Sequence, residues 1–336
     1  MRREIVVIGA SAGGVEALKS LFATIPEHFD ASVFVVLHTS PDSPGILGDI
    51  LARAGPLPAV TVRTSEPIRP ATVYVAAPDH HLIIEPGVVR ATKGPKENRF
   101  RPAVDPLFRS AAQTYGGRVV GVVLTGALDD GTAGLWAVKH LGGIAIVQNP
   151  ADAYASSMPR SAMQHVAVDH CAPLSEIGPL LVRLTQQAAD HQEVIEMPEH
   201  IPIEVQIAKA KTALDVGVME LGDPSNYACP ECHGVLLKMK EGNYIRFRCH
   251  TGHAYSPISL MAEINEAVED AMWNAIRSIE ESVLLMQQLA NHAQTAHDAA
   301  IATHLSESVA RARKQADLIR EAMLEHIENH GATAEV

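Results

Sequence analysis

Ser11 lies in the stretch Gly9-Ala10-Ser11-Ala12-Gly13, directly after the apolar run Ile5-Val6-Val7-Ile8. This is a G-x-S-x-G pattern, whose glycines allow a sharp strand-to-helix turn that exposes the serine hydroxyl. Ala12 and Gly13, at the start of the helix that follows, offer backbone N–H groups to a developing oxyanion. A serine becomes a nucleophile only beside a base, and the base needs an acid to hold its tautomer. His38 follows a second apolar run, Val33-Phe34-Val35-Val36-Leu37. Asp129 and Asp130 lie beyond a third, Val119-Val120-Gly121-Val122-Val123-Leu124. One of the two aspartates is expected to cap the helix at Gly131, and the other to complete the set. A glycine-rich turn also suits phosphates and dinucleotides, but His38 stands where a ribose-binding acid would be expected.

A second group of reactive side chains lies far downstream. Cys229-Pro230-Glu231-Cys232 is followed after sixteen residues by Cys249-His250-Thr251-Gly252-His253. Two such knuckles around a hairpin-sized insert match the donor set of tetrahedral Zn²⁺. The expected ligands are Cys229, Cys232, Cys249 and His253. His250 is the alternate for the fourth place and His233 a weaker one. Four protein ligands would close the site, so the zinc is expected to be structural. Arg246 and Arg248, in the insert's second strand, are expected on a solvated face.

The elements that must position Ser11, His38 and the aspartate form a doubly wound α/β pattern with a mostly parallel sheet. Runs that are apolar on both faces suit a parallel sheet covered by helices on each side. Besides the three above, Val73-Tyr74-Val75-Ala76, Leu82-Ile83-Ile84 and Ile144-Ala145-Ile146-Val147 read as strands, with Val166-Ala167-Val168 a weak last member. Helices are expected over Val15–Thr24, Ile46–Arg53, Pro106–Tyr115, Gly131–His140 and Pro159–Gln164, and a closing helix over Leu174–Gln192. In a doubly wound sheet the carboxyl ends of neighbouring strands share one edge, where the serine, histidine and aspartate can meet.

The expected organisation is a catalytic domain over 1–190, an acidic linker over 191–226 with a short helix at Val205–Leu214, a zinc-ribbon-like β module over 227–255 and a helical hairpin over 256–330. Ser256-Pro257 is a good N-cap and N1 pair for the hairpin's first helix. Trp273, Met272 and Met286 are expected in its core. Arg101-Pro102-Ala103-Val104-Asp105 reads either as a substrate-docking loop or as a turn before a capped helix.

The 336-residue chain is long enough for two or three domains. Its net charge of −12 argues against nucleic-acid and anionic-membrane partners. No apolar stretch approaches the length of a membrane span, and the first strand begins too soon after Met1 for a signal peptide. A cytoplasmic location is expected.

Residues 5–184 resemble the catalytic domain of the chemotaxis protein-glutamate methylesterases, the CheB family. The matching segments are Ile8–Gly14, Leu37-His38, Ala77–Leu82, Arg101–Phe108, Leu124-Thr125-Gly126, Asp130-Gly131, Gln148-Asn149-Pro150 and the stretch to Met158-Pro159. The resemblance implies hydrolysis of glutamate γ-methyl esters on a chemoreceptor-type signalling protein, with release of methanol, and deamidation of selected glutamines. By position it makes Ser11 the nucleophile, His38 the base and Asp130 the orienting acid, with no cofactor for catalysis. The partners expected are a methylated chemoreceptor or a relative of one, with a sensor kinase, a methyltransferase or a second copy of the chain as further candidates. The family's usual receiver domain is not seen ahead of Ile5, so phosphorylation control in cis is not expected. Ala127-Leu128 replaces the family's Met-Gly. These departures motivate a rival reading, a scaffold that binds signalling partners without turnover.

Overall fold

The computed structural model describes residues 2–189 and 196–331. Residues 190–192 of the expected closing helix and the first residues of the expected linker lie outside the described residues. The chain opens with β1 (Ile5–Ala10), α1 (Gly14–Ala23), β2 (Ser32–Leu37), α2 (Leu47–Ala54) and β3 (Ala59–Val62). Then come β4 (Ser65–Pro67), β5 (Val73–Ala76), β6 (His81–Glu85), β7 (Val88–Thr92) and α3 (Val104–Tyr115). β8 (Val119–Val123), α4 (Thr132–His140), β9 (Ile144–Gln148), α5 (Ser157–His165), β10 (His170–Ala172) and α6 (Leu174–Gln186) follow. The remainder is α7 (His200–Ala208), β11 (Asp223–Ala228), β12 (Val235–Glu241), β13 (Tyr244–Cys249), β14 (Ala254–Tyr255), α8 (Pro257–Thr295) and α9 (Ala299–Gly331).

Seven strands form one sheet in the order β10-β9-β8-β1-β2-β5-β3, every pair parallel. Successive side chains of β1 enter opposite layers. Ile5 and Val7 pack with residues of α3, α4 and α5, and Val6 and Ile8 with residues of α1, α2 and α6. That two-sided burial explains why the strands are apolar at consecutive positions. Each such side chain taken from water contributes about 1.5–3 kcal/mol. β1 has β2 on one side and β8 on the other, so the chain reverses its winding there. The crevice at the carboxyl ends of these three strands is the topological switch point.

Several expected elements move. Leu82–Ile84 is no strand of the main sheet. It lies in β6 of a three-stranded antiparallel sheet, β4-β7-β6, and is apolar because it packs under α3. The last strand of the main sheet is β10, not Val166–Val168. Val166 ends α5 and inserts into the core, and the Val168 N–H turns back onto its carbonyl at 2.8 Å. The 191–226 stretch is not a free linker in its described part. α7 lays Ile201 and Val205 into the main core and buries Glu204 completely. β11 is a polar, exposed edge strand that gives no apolar signal.

The described residues divide into two compact units, one up to Leu260 and one from Met261. In the second, α8 and α9 bury Ile276, Val283 and Ala290 against Ala302, Val309, Ala316 and Met323. These positions recur every seventh residue, the seam spacing of a coiled coil. Glu280 pairs with Arg320 at 2.7 Å from one helix to the other. Trp273 is 49% exposed and therefore not core, because the seam runs along another face of α8. No helix among the described residues is long and apolar enough to cross a membrane.

Candidate active site

Three strand ends bring the expected residues together. Ser11 follows β1, His38 follows β2, and Asp130 lies in the loop after β8. His38 Nδ1 stands 3.1 Å from Ser11 Oγ, and His38 Nε2 stands 2.7 Å from Asp130 Oδ2. An ionised carboxylate can only accept, so Nε2 carries the proton and Nδ1 is left to accept from the Ser11 hydroxyl. The His38 ring lies flat on Phe100, with centroids 3.8 Å apart and planes 11° from parallel. Only 3% of the His38 side chain and 1% of the Asp130 side chain are exposed, so their contact is shielded from solvent.

Asp130 is held as an anion. Burial pushes its carboxyl up, but the His38 hydrogen bond and charge, the Val104 N–H and the Asn98 amide outweigh that and hold it below the usual carboxylate range. Val104 N donates at 2.6 Å, Asn98 Nδ2 at 2.9 Å and Gly131 N at 2.9 Å. The neighbouring Asp105, buried in the first turn of α3, goes the other way. Burial, and then the charge of Asp130, raise it to about 8. The pair therefore holds one negative charge at neutral pH, on the carboxylate that faces His38.

Ser11 is fixed through its backbone. Its N–H donates to the Thr125 carbonyl at 2.9 Å, and the Thr125 hydroxyl donates to the Ala12 carbonyl at 2.8 Å. Gly126 has to be glycine, because a Cβ there would sit 2.9 Å from Ser11 Cβ and 2.0 Å from Met158 Sδ. Gly13 adopts φ 74°, the left-handed conformation that turns the chain into α1. The Ala12 and Gly13 N–H groups, at the amino end of α1, meet no acceptor among the described residues. A cleft of about 470 Å³ opens over Ser11 and His38 and is walled by Phe100, Lys96, Arg99 and Arg101.

Asn98, Phe100 and Thr125 complete the site and were not singled out individually from the sequence. Asn98 and Phe100 lie in an irregular polar loop, without a periodic pattern to flag them. Thr125 lies in the Thr-Gly segment after β8, and that segment was the available signal. Asp129 does not cap α4, whose N-cap Gly131 has no side-chain cap. It accepts instead from Tyr244 at 2.7 Å and from the Ser256 hydroxyl at 2.7 Å. In the Arg101–Asp105 loop, Ala103 precedes α3 and gives it no side-chain cap. Arg101 lines the cleft, tied to Asp79 at 2.6 Å, and α3 begins at Val104.

The cysteines form the second cluster. One donor atom each from Cys229, Cys232, Cys249 and His253 lies within 4.8 Å of every other. Cys232 and Cys249 Sγ are 3.6 Å apart, and His253 Nδ1 is 3.6 Å from Cys249 and 3.7 Å from Cys229. All three cysteines are free. His250 is outside the cluster, packed against Gly234. The Thr251 hydroxyl contacts Cys232, Cys249 and His253 at 3.0–3.2 Å. Hydrogen bonding with Cys229, and then with His253 and Thr251, draws the Cys249 thiol down from the usual thiol range.

Arg246 and Arg248 are not on a solvated face; they are 1% and 0% exposed. Two residues apart on β13, they share the face turned towards α7 and the loop before α3. Arg246 binds Glu204 at 2.9 Å and Glu241 at 2.5 Å, and Arg248 binds Glu204 at 2.6 Å and Glu97 at 3.0 Å. Arg109 of α3 joins the same cluster through Glu97.

Residues 6–181 match the family described as CheB methylesterase. A Leptospira interrogans protein named for protein-glutamate methylesterase/protein-glutamine glutaminase is 38% identical over 187 residues, which are 55% of this chain and 97% of that protein. An Anaeromyxobacter dehalogenans protein-glutamate methylesterase/protein-glutamine glutaminase is 39% identical over 185 residues. Those residues cover 55% of this chain and only 54% of that relative, about half its length. The crystal structure of the Thermotoga maritima CheB methylesterase catalytic domain superposes with a TM-score of 0.52 at 33% identity. It covers 54% of this chain and 98% of that domain. With the parallel sheet, the switch-point crevice and this match over the same residues, the chain belongs to the CheB methylesterase family.

Proposed function

We propose that this chain is a serine hydrolase that removes methyl groups from glutamate γ-methyl esters, and deamidates glutamine side chains, on a chemoreceptor or related signalling protein. The observation that carries this reading is the hydrogen-bonded row Ser11–His38–Asp130 at the floor of an open cleft. Names of relatives that share the catalytic region support the substrate class. Ser11 Oγ attacks the γ-carbonyl carbon while His38 Nδ1 takes its proton. Asp130 stabilises the imidazolium, and the Ala12 and Gly13 N–H groups receive the oxyanion. When the tetrahedral centre collapses, the methoxy group leaves with the His38 proton as methanol; an amide substrate gives ammonia. Water, activated by the same histidine, then splits the glutamyl–Ser11 ester and leaves glutamate. The scaffold alternative needs no activated nucleophile. Labelling by a fluorophosphonate is expected at Ser11 and nowhere else, and a folded chain that takes no label would favour the scaffold.

We also read the Cys229–Cys232–Cys249–His253 cluster as a structural Zn²⁺ site. Zn–S bonds of about 2.3 Å at tetrahedral angles would place ligand atoms about 3.8 Å apart, and the observed separations of 3.6–3.7 Å fit that set. Bound there, the ion would cross-link the two knuckles and, with four protein ligands, would have no open position for the substrate. Elemental analysis should find about one zinc per chain; reduced, metal-replete protein without zinc would refute the assignment.

A further inference from the structure

The metal-ligand cluster and the catalytic acid are joined by a short, unbroken series of contacts. Ala254 directly follows His253. Its N–H donates to the Lys96 carbonyl at 3.3 Å, and its carbonyl accepts the Asn98 N–H at 2.8 Å. Two residues on, Ser256 donates its N–H to Asn98 Oδ1 at 3.0 Å and its hydroxyl to Asp129 Oδ1 at 2.7 Å. Ser259 Oγ adds a contact to Asn98 Oδ1 at 3.1 Å, and Tyr244 OH reaches Asp129 Oδ2. Asn98 then spends its amide N–H groups on Asp130 at 2.9 Å and Asp105 at 3.0 Å. From the other knuckle, Glu231, between Cys229 and Cys232, pairs with Lys96 at 2.6 Å. Thus both knuckles grip the 96–101 turn, and that turn carries Phe100, the platform beneath His38.

The turn is closed by reciprocal backbone hydrogen bonds, Phe100 N–H to the Glu97 carbonyl at 2.9 Å and Glu97 N–H to the Phe100 carbonyl at 3.2 Å, and its place against Asp130 and His38 is set by what packs on it. Asn98 and Arg99 are consecutive non-glycine residues at φ 49° and φ 77°. Asparagine takes this left-handed conformation readily and arginine rarely, so the surroundings help to hold the pair. Here those surroundings include Ala254, Ser256 and Ser259. If the strap is released, the turn can relax, withdrawing Asn98 from Asp130 and Phe100 from His38.

We infer that residues 229–256 are a strap in cis on the active-site turn, so that hydrolysis depends on closure of the Cys229–Cys232–Cys249–His253 cluster, with Asn98, Ser256 and Tyr244 as positioning residues for the acid. The inference rests on the hydrolase reading above, and it makes the enzyme's output responsive to Zn²⁺.

The test uses the full zinc-loaded chain. Its readouts are methanol release from a methyl-esterified receptor fragment and the rate of fluorophosphonate labelling at Ser11. Chelating the zinc is expected to lower kcat and the labelling rate together, and added Zn²⁺ to restore both. Asn98→Ala is expected to cost about 10-fold or more in kcat with little change in KM, because the ester still binds but the base is misplaced. Its kcat/KM profile should also lose activity at higher pH on the acid side, since Asp130 has lost a donor to its anion. The double variant Ser256→Ala, Tyr244→Phe should lower kcat while its zinc content stays that of the parent. A merely structural role would lower the melting temperature and leave kcat and the pH profile unchanged. Zinc-free, folded protein with parental kcat and labelling would overturn the inference. Should chelation unfold the chain, parental kinetics in Asn98→Ala and in the double variant would overturn it equally. A zinc-loaded parent that neither releases methanol nor labels at Ser11 would instead refute the hydrolase reading beneath it.

Discussion

Asp105 and Asp130 face the same asparagine amide and carry opposite protonation. Their linkage to folding therefore runs in opposite directions. Asp130 is depressed, so its contribution is present above the ordinary carboxylate range and is lost as the pH falls through its folded value. Asp105 is raised to about 8, so the folded protein keeps a proton that the unfolded chain releases. Stability should then fall as the pH rises from the ordinary carboxylate range towards about 8, by at most about 1.4 kcal/mol per pH unit from this group. Asp105→Asn removes the titration and keeps an acceptor for the Gly134 N–H. Urea unfolding of the two proteins between about pH 5 and about pH 8 should show a shallower decline in the variant. Equal slopes would show that Asp105 is ionised beside Asp130. Ser11 and His38 were legible from sequence because each directly follows an apolar strand, and so was the two-aspartate loop after the third run; the choice of Asp130 over Asp129 came from the resemblance to the family. Asn98 was not legible, because two of its partners, Asp130 and Ser256, lie 32 and 158 positions away in the sequence.

At the scale of elements, the crevice exists because β1 is flanked by β2 and β8 at the point where the winding reverses. The turn after β8 passes so close to Ser11 that only glycine fits at position 126. Gly126→Ala should cost about 1–3 kcal/mol of stability and displace Ser11 or Met158. Thermal unfolding together with fluorophosphonate labelling checks both effects, and a variant with parental stability and labelling would show that the loop has room. The parallel core strands could be read from their two-sided apolarity. β6 was assigned to the wrong sheet for the same reason, since packing under α3 makes a strand apolar without placing it in the main layer. β3 and β11 are edge strands, short or polar, and leave little pattern to read.

At the scale of the whole molecule, the described residues before Met261 form one compact unit that includes α7 and the cysteine-bearing strands. α7 joins the main core through Ile201 and Val205, while the cysteine-bearing strands meet α3, α7 and the loop before α3 through a buried ionic cluster. Arg109, Arg246 and Arg248 meet Glu97, Glu204 and Glu241 with no solvent access. No local pattern reveals such a junction: Arg246 and Glu204 are 42 positions apart, and Arg248 and Glu97 are 151. Arg246 and Arg248, taken alone, read as residues of a solvated strand face. A buried ion cluster adds little net stability compared with apolar packing, but breaking it strands a charge. Glu204→Ala leaves Arg246 and Arg248 under-paired and should cost about 3–5 kcal/mol in denaturant unfolding. A loss below about 1 kcal/mol would mean that water reaches the arginines.

The most direct test of the hydrolase reading is methanol release from a methyl-esterified receptor fragment by the full chain and by its Ser11→Ala variant. The account predicts turnover by the parent and a loss of about 10³-fold or more in the variant, with its circular dichroism and melting temperature unchanged. Methanol release at the parental rate from the folded Ser11→Ala protein would contradict it.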